Sequence, residues 1–193
     1  MEHTGLRERS KARRRAAIIR AGLELFAERG YHATTVADIA AAAEVAPRTV
    51  AVYFPSKQDI AMSQFNARVD ELTEAVRARR PGESVTAVIE RWLRAEEPGA
   101  DRELRELSLR MFRVNPELNA LRMARMAEVA AEGTDVLARD AGLPLGSPGP
   151  RIAAAAAGAI LVELVEIPPG PRREEAIRVA MRFLDAGISS LAR

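Results

Sequence analysis

The sequence contains no cysteine, few aromatic residues and only two histidines. Aromatic side chains make up 4% of its 193 residues. The absence of cysteine excludes a disulfide framework, a thiolate nucleophile and a zinc–thiolate site, and it fits the reducing cytoplasm, where we expect the protein to act. Because sheets favour aromatic and β-branched residues, whereas the abundant alanine, leucine, arginine and glutamate favour helices, the composition predicts a helical fold.

Patterns typical of enzymes and of membrane spans are also missing. His3 and His32 belong to no metal-ligand or catalytic-triad spacing, and no glycine-rich phosphate loop with its Lys-Ser/Thr is present. The longest strongly apolar run, 152–162, is well short of the about 20 residues that span a bilayer. We therefore predict that the protein is not an enzyme, has no metal or cofactor, and does not act in a membrane.

Positive charge is concentrated near the N-terminus. The net charge is only +2, yet seven of the 29 Lys and Arg residues lie within the first 20 positions, including Arg9, Lys11, Arg13, Arg14 and Arg15. Such asymmetry favours an anionic partner, either nucleic acid or an anionic membrane surface. A solvated helix end is the alternative interpretation of the same cluster.

Residues 34–57 predict two short helices joined by a tight turn. Thr35 and Asp38 have the spacing of a capping box just before a run of small and apolar side chains, so Thr35 is the predicted N-cap. Pro47 suits the first position of the second helix, because its missing N–H would have had no partner there. Ser56 and Asp59 form a second capping box, which starts the next helix.

The second short helix predicts one buried and one exposed face. Val50 and Phe54 are four residues apart and face the first helix, whereas Arg48 and Val52 lie on the opposite side, flanked by Thr49. Arginine can pair bidentately with guanine, and a valine or threonine methyl can contact the thymine methyl in the major groove. The exposed face is therefore chemically suited to reading DNA, although the same residues are ordinary on any surface.

The whole stretch resembles the DNA-binding domain of the TetR family of bacterial transcriptional regulators, over roughly residues 9–62. The residues that carry the resemblance are Gly30-Tyr31, Thr34-Thr35-Val36, Ile39-Ala40, Ala43, Val45, Thr49-Val50, Tyr53-Phe54 and Ser56-Lys57. The resemblance implies that Thr35, Tyr53 and Lys57 contact phosphates, and that Pro47, Arg48, Thr49 and Val52 lie against base edges.

Two residues depart from the family pattern. Glu44 stands where the family usually has the turn glycine, and Ala46 stands where a serine or threonine cap is usual. We expect a less favourable backbone conformation at Glu44. The missing cap at Ala46 is expected to cost about 1 kcal/mol of helix stability.

The rest of the chain predicts further helices, about nine in total. The first runs from Arg9 to Gly30 after a loose tail, and a later break is expected at 97–99. We predict an all-α fold with a three-helix helix-turn-helix DNA-binding domain over 9–57. A helical ligand-binding and dimerisation domain follows over 58–193.

The second domain offers candidates for two roles. Apolar side chains that could surround a small-molecule effector, or equally pack the core, are joined by one acidic residue among apolar neighbours: Trp92, Met111, Phe112, Met123, Met126 and Glu163. The last two helices carry small residues and a heptad-like seam. These features predict a four-helix interface between two copies, through Ala156, Ile160, Ile177, Met181, Leu184 and Ile188. A helix buried within one chain is the alternative explanation of the seam.

Together these patterns predict a sequence-specific DNA-binding transcriptional regulator. The expected form is a homodimeric, ligand-responsive repressor that binds a palindromic double-stranded operator. The alternative is a helical protein-interaction or membrane-surface module that uses the basic N-terminal helix.

Overall fold

The computed structural model describes residues 2–95 and 99–191. Within them, the protein is all-α, as predicted, with nine helices and no strand. The helices are α1 (Glu2–Arg29), α2 (Val36–Ala42), α3 (Pro47–Tyr53), α4 (Lys57–Arg77), α5 (Val85–Arg94), α6 (Gly99–Val114), α7 (Pro116–Asp140), α8 (Pro148–Glu166) and α9 (Pro171–Ser190). The break predicted at 97–99 lies mostly outside the described residues.

Helix α1 differs most from its predicted bounds. It begins at Glu2 rather than Arg9, so residues 2–8 are helical instead of a loose tail. No proline precedes Arg9, and the sequence therefore contains no residue that would stop the helix from extending. Its end is as predicted: Gly30 adopts φ 87°, the left-handed conformation that glycine allows after a helix.

The contacts between residues divide the chain into two units, at points other than the predicted boundary at 57/58. The first unit comprises Met1–Ala67 and Glu97–Arg122, so that α6 belongs with the three N-terminal helices. The second comprises Arg68–Glu96 and Met123–Arg193.

The first unit has a core formed by α1 and the helices packed on it. Ile18 and Phe26 on α1 are fully buried, and so is Ile60 on α4. Gly22 permits this packing, because a Cβ at position 22 would lie 2.5 Å from Ile60 Cγ2. α6 packs along α1, and Phe65 meets Phe112 edge-on with ring centroids 6.1 Å apart.

The second unit is organised around α9, which packs against α5 and α8. Ile177, Met181 and Leu184 form the buried side of α9. By length and composition alone, α8 could cross a membrane. The apolar run 152–162, which is shorter than this helix, did not suggest a membrane span. A core helix passes the same test, and α8 packs on α9 and is partly buried within the chain.

Candidate functional site

Helix α2 is fixed at its start by the predicted capping box. The Thr35 Oγ1 atom accepts a hydrogen bond from the Asp38 backbone N–H at 3.1 Å. The Asp38 carboxylate in turn accepts from the Thr35 backbone N–H at 2.8 Å and from its hydroxyl at 2.6 Å. These hydrogen bonds from Thr35 lower the pKa of the exposed Asp38 carboxyl below its ordinary value. Thr35 remains exposed beside the first turn of α2.

The turn between α2 and α3 contains both predicted departures. Glu44 has φ 54°, the only positive φ of a non-glycine residue among those described, so its backbone occupies the left-handed region that glycine adopts without steric cost. Ala46 is the N-cap of α3 and supplies no side-chain hydrogen bond. The less favourable backbone predicted at Glu44 is confirmed, and so is the absence of a side-chain cap at Ala46, whereas its cost in helix stability stays a prediction.

Helix α3 presents one face to the core and the other to solvent. Val50 is 1% exposed and Phe54 5%, whereas Val52 is 82% exposed. Pro47 is at the first position of the helix, and both Pro47 and Arg48 are exposed, while Thr49 and Tyr53 are partly buried. Because Val50 and Phe54 anchor α3 in the core, the exposed side chains of this seven-residue helix are held in a fixed direction.

Lys57 lies in the first turn of α4 after the predicted Ser56–Asp59 box, in which the Asp59 carboxylate accepts from the Ser56 N–H at 2.9 Å. Its ammonium donates to the carbonyls of Tyr31 and Thr34 at 2.7 and 2.9 Å, and it lies 4.3 Å from the Tyr31 ring centroid. Lys57 therefore holds the α1–α2 turn. A third N–H of the ammonium is left for a phosphate, the contact that the resemblance implies.

Asn115 completes the α1–α2 turn, and the sequence interpretation missed it. Its side chain is 2% exposed; its amide donates to Phe26 O at 2.9 Å and Met111 O at 2.8 Å, and its carbonyl accepts from Tyr31 N–H at 2.7 Å. An asparagine directly before Pro116 is a typical N-cap signal, and that signal gives no hint of a side chain turned inward.

Tyr31 lies in the same turn. Burial raises the pKa of its hydroxyl, and the negative charges of Glu117 and Asp59 raise it further.

The first half of α1 presents a cationic surface. Arg9, Lys11, Arg13 and Arg14 are exposed along it, and the guanidinium of Arg15 lies 5.2 Å from the centroid of the Phe54 ring at the end of α3. The cationic stretch is therefore in contact with the helix-turn-helix, α2 and α3.

Comparison with known proteins identifies this arrangement. Residues 18–62 match the model of bacterial regulatory proteins of the tetR family. Over 149 residues, 73% of this chain, the sequence is 34% identical to the HTH-type transcriptional regulator TcmR of Streptomyces glaucescens, of which that match spans 66%. The chain belongs to the TetR family. The residues that match the family model include α2 and α3, so the helix-turn-helix lies within the matched region.

Solved structures of TetR regulators share the fold. A TetR-family transcriptional regulator from Rhodococcus sp. matches with a TM-score of 0.53 at 24% identity, over 92% of this chain and 99% of that one. The Thermus thermophilus FadR repressor, solved in complex with lauroyl-CoA, matches with a TM-score of 0.51 at 26% identity, over 90% of this chain and 94% of that one. These relatives are regulators rather than enzymes.

The second unit of this TetR chain contains an apolar cavity of about 150 Å³. Four helices surround it: α4, α5, α7 and α8. Its lining residues are Leu72, Thr73, Val76, Arg77, Val85, Ile89, Met126, Val129, Ala130, Glu132, Gly133, Val136, Leu137, Ala154, Ala157, Gly158 and Leu161. A wider groove between α7 and α8, of about 380 Å³, shares Met126, Ala130 and Gly158 with it.

The predicted ligand-binding residues are dispersed. Met126 lines both cavities and Met123 lines the groove. Met111 and Phe112 lie in the core of the first unit, and the guanidinium of Arg68 covers the Trp92 ring at 4.5 Å from its centroid. Glu163 is exposed on α8, so its carboxylate is in solvent rather than in a cavity. Of this set, Met123 and Met126 are the residues that line the two cavities described above.

The predicted dimer residues divide in the same way. Ile177, Met181 and Leu184 are at most 4% exposed within a single chain, so they pack α9 onto its own subunit and cannot reach a partner. Ala156, Ile160 and Ile188 are partly buried. Large apolar side chains are instead exposed elsewhere on these two helices: Ile152 on α8 at 67%, and Val179 and Phe183 on α9 at 47% and 64%.

Among the side chains that the structure describes, no group of three His, Asp or Glu residues is arranged to hold a metal ion. His32 is exposed and lies 3.4 Å from a Glu117 oxygen at the surface of the first unit. The side chain of His3 is outside the described residues.

Proposed function

We propose that this TetR-family protein is a cytoplasmic, ligand-responsive repressor that binds a palindromic operator as a homodimer. The observation that carries the proposal is the α3 face: Arg48 and Val52 project from a helix that Val50 and Phe54 anchor in the core. A short helix with one rigidly buried side and one exposed side is the form in which helix-turn-helix proteins present base-reading residues.

Base reading and phosphate contact fall to different residues in this proposal. Pro47, Arg48, Thr49 and Val52 face base edges in the major groove, with Arg48 pairing to a guanine. Thr35 and Tyr53 contact phosphates at the ends of α2 and α3, and Lys57 adds its remaining N–H. The exposed cations of α1 neutralise further phosphates, which makes binding strongly salt-dependent.

The dimer forms through the exposed apolar side chains of α8 and α9. Ile152, Val179 and Phe183 are the large ones, and they are the residues that a second copy would cover. A symmetric dimer would carry two copies of α3 to major grooves about 34 Å apart on one face of DNA, which explains why the operator should be a palindrome.

Ligand response is assigned to the apolar cavity of the second unit. The FadR relative was solved with lauroyl-CoA, a molecule with a long hydrocarbon part, and the walls of this cavity are almost entirely hydrocarbon. Because a ligand shifts an equilibrium only by its differential affinity, the effector must bind better to a dimer whose α3 helices are wrongly spaced for DNA.

Selection from random duplex DNA at near-physiological salt tests the proposal directly. We expect enrichment of a palindrome whose half-sites lie about one helical turn apart. If no sequence is enriched and binding disappears as salt rises, the protein is a merely basic helical module. Co-sedimentation with anionic liposomes would then identify a membrane surface as its partner.

Two alanine variants separate the roles of the cations. Arg48→Ala should cost about 1–3 kcal/mol on the selected operator and relax the preference at one base pair in each half-site. Arg13→Ala changes an exposed cation of α1 and should weaken binding to all sequences. It should also reduce the slope of log affinity against log salt concentration by about 1. Titrations against matched and mutated operators distinguish them, and identical behaviour of the two variants would contradict this division.

A further inference from the structure

The apolar cavity of the second unit has chemically simple inner walls. Leu72, Ile89 and Leu161 are buried hydrocarbon side chains, contributed by α4, α5 and α8. Thr73 has the only uncharged polar side chain in the lining, and its hydroxyl already donates to Val69 O at 2.9 Å. A polar ligand group buried here would lose its bonds to water and find at most the Thr73 hydroxyl oxygen as an acceptor, so the part of a ligand that enters should be hydrocarbon.

Polarity is confined to one end of the cavity. Arg77 on α4 and Glu132 on α7 are the charged residues of the lining, with an N–O distance of 3.7 Å and side chains 65% and 55% exposed. Their exposure marks this end as the one that faces solvent. A polar head group attached to a buried hydrocarbon would stay here, in water and beside both charges.

Small residues on α8 and α7 create the space. Ala154, Ala157 and Gly158 line the α8 side, where larger side chains would fill the cavity. Gly133 is in the interior of α7, on the same face as Met126, Ala130 and Leu137. Packing does not require a glycine there, because a Cβ at position 133 would meet no atom within 4 Å. Position 133 therefore borders open space, which a larger side chain placed there would enter.

We propose that this cavity binds the compact hydrocarbon part of an amphipathic effector, a single ring or a medium-length alkyl chain, whose polar group remains at the Arg77–Glu132 end. The size follows from the volume of about 150 Å³, because an apolar cavity of that volume holds benzene. This inference rests on the proposed function, since it names the chemical class to which the regulator responds.

Calorimetric titration of the purified full chain with 1-alkanols of increasing length tests the hydrocarbon requirement. Affinity should rise about fourfold per methylene until the cavity is filled, and then stop rising. In 1,8-octanediol a second hydroxyl would be buried, and its binding should be at least about tenfold weaker than that of 1-octanol. Equal affinities for the two compounds, or no dependence on chain length, would overturn the inference.

The same titration with octanoate and octylamine locates the head group. The Arg77–Glu132 end, which is the mouth of the cavity, carries one charge of each sign. The affinities of octanoate and octylamine should therefore lie within about tenfold of that of 1-octanol, unlike those of ligands whose charge lies in the interior. Loss of binding for both ions would show that the head is buried and would overturn the assignment of the mouth.

Substitution at position 133 tests the location. Gly133→Leu places an isobutyl group in the open space of the cavity and should reduce 1-octanol affinity at least about tenfold. Gly133→Ala makes nearly the same backbone change, adds a single methyl group and should bind close to normally. Helical content and thermal unfolding of both variants should match or exceed those of the natural chain. Full affinity in a folded Gly133→Leu variant would exclude this cavity as the site.

Operator binding separates this inference from the proposed function. Gly133→Leu should bind the operator normally but resist release by 1-octanol. If the chain binds 1-octanol in a manner sensitive to position 133 yet selects no DNA, the ligand inference stands and the proposed function fails. If the chain selects an operator but 1-octanol neither binds nor releases it, the ligand inference fails alone.

Discussion

Glu44 has the most unusual backbone in the DNA-binding unit. A non-glycine residue at φ 54° is held in the left-handed region, which costs about 1–2 kcal/mol relative to ordinary backbone, and its carboxylate is exposed in the helix-turn-helix. The departure from the family's glycine therefore has a physical cost, which this chain tolerates in the turn that sets the angle between α2 and α3.

Glu44→Gly should stabilise the protein by about 1 kcal/mol, raising the melting temperature by roughly 2–4 °C for a chain of this size. It should also strengthen operator binding, because a carboxylate near DNA is removed. Thermal unfolding and operator titration measure the two effects. Ala41→Gly, at an exposed position in α2, should instead lower stability, and a similar loss in Glu44→Gly would show that the turn is not strained.

Asn115 is the residue whose role is least visible in the sequence. Asn115→Asp keeps the shape but replaces the amide donor by an oxygen that faces the carbonyls of Phe26 and Met111. At neutral pH we expect a loss of about 3 kcal/mol or more, because one oxygen of the buried carboxylate faces two carbonyls and only the Tyr31 N–H remains to stabilise the charge. Asn115→Ala should cost less.

Urea unfolding at several pH values checks the Asn115 prediction. Burial raises the pKa of a carboxyl, so the carboxyl introduced by Asn115→Asp should become protonated as the pH falls and regain one O–H donor. The penalty of Asn115→Asp should therefore shrink toward acid pH, while that of Asn115→Ala stays constant. If Asn115→Asp and Asn115→Ala lose the same stability at every pH, the hydrogen bonds that the Asn115 amide donates contribute nothing specific.

At the scale of the helix, α2 gives a pH prediction. Hydrogen bonds from Thr35 depress the pKa of Asp38 in the folded state, so its carboxylate stabilises the protein above the ordinary value of 3.8. That contribution is lost as the pH falls through the depressed value. Asp38→Asn should be less stable at neutral pH and approach the natural chain below that range. A stability difference that persists unchanged in acid would contradict the capping role.

The sequence predicts the starts of α2, α3 and α4 well because they depend on local chemistry. The Thr35–Asp38 and Ser56–Asp59 boxes and the proline at position 47 are formed by residues within four positions of one another. Each signal is complete in the sequence, and each appears in the structure. Asn115 is different, because its partners Phe26 and Tyr31 are more than 80 positions away.

Helix α9 shows where periodicity stops being informative. Its sequence carries two apolar faces, and the heptad-like one, with Ile177 and Leu184, is buried within its own subunit. Spacing identifies an apolar stripe but not what covers it. For the same reason the methionines and aromatic residues chosen for the ligand site could not be assigned to one cavity before the packing of α4, α5, α7 and α8 was known.

At the scale of the whole molecule, the proposed function requires two chains, and the exposed apolar side chains of α8 and α9 are the place where a substitution should separate them. Phe183→Arg introduces a charge at one of these side chains, which is 64% exposed. The chain should remain folded but become monomeric, because an arginine buried in an apolar interface would be a charge without a partner. Analytical ultracentrifugation measures the change.

Operator affinity should follow the loss of the dimer. A monomer reads one half-site, so Phe183→Arg should bind the full palindrome about a hundredfold more weakly or worse, since the second α3 is no longer linked to the first. Leu145→Arg makes a similar change at another exposed apolar side chain, 60% exposed in the loop before α8, and should leave both mass and affinity unchanged. If Phe183→Arg still sediments as a dimer and binds the full palindrome normally, the two chains must meet through a different surface, because an unpaired charge buried among apolar side chains would not be tolerated.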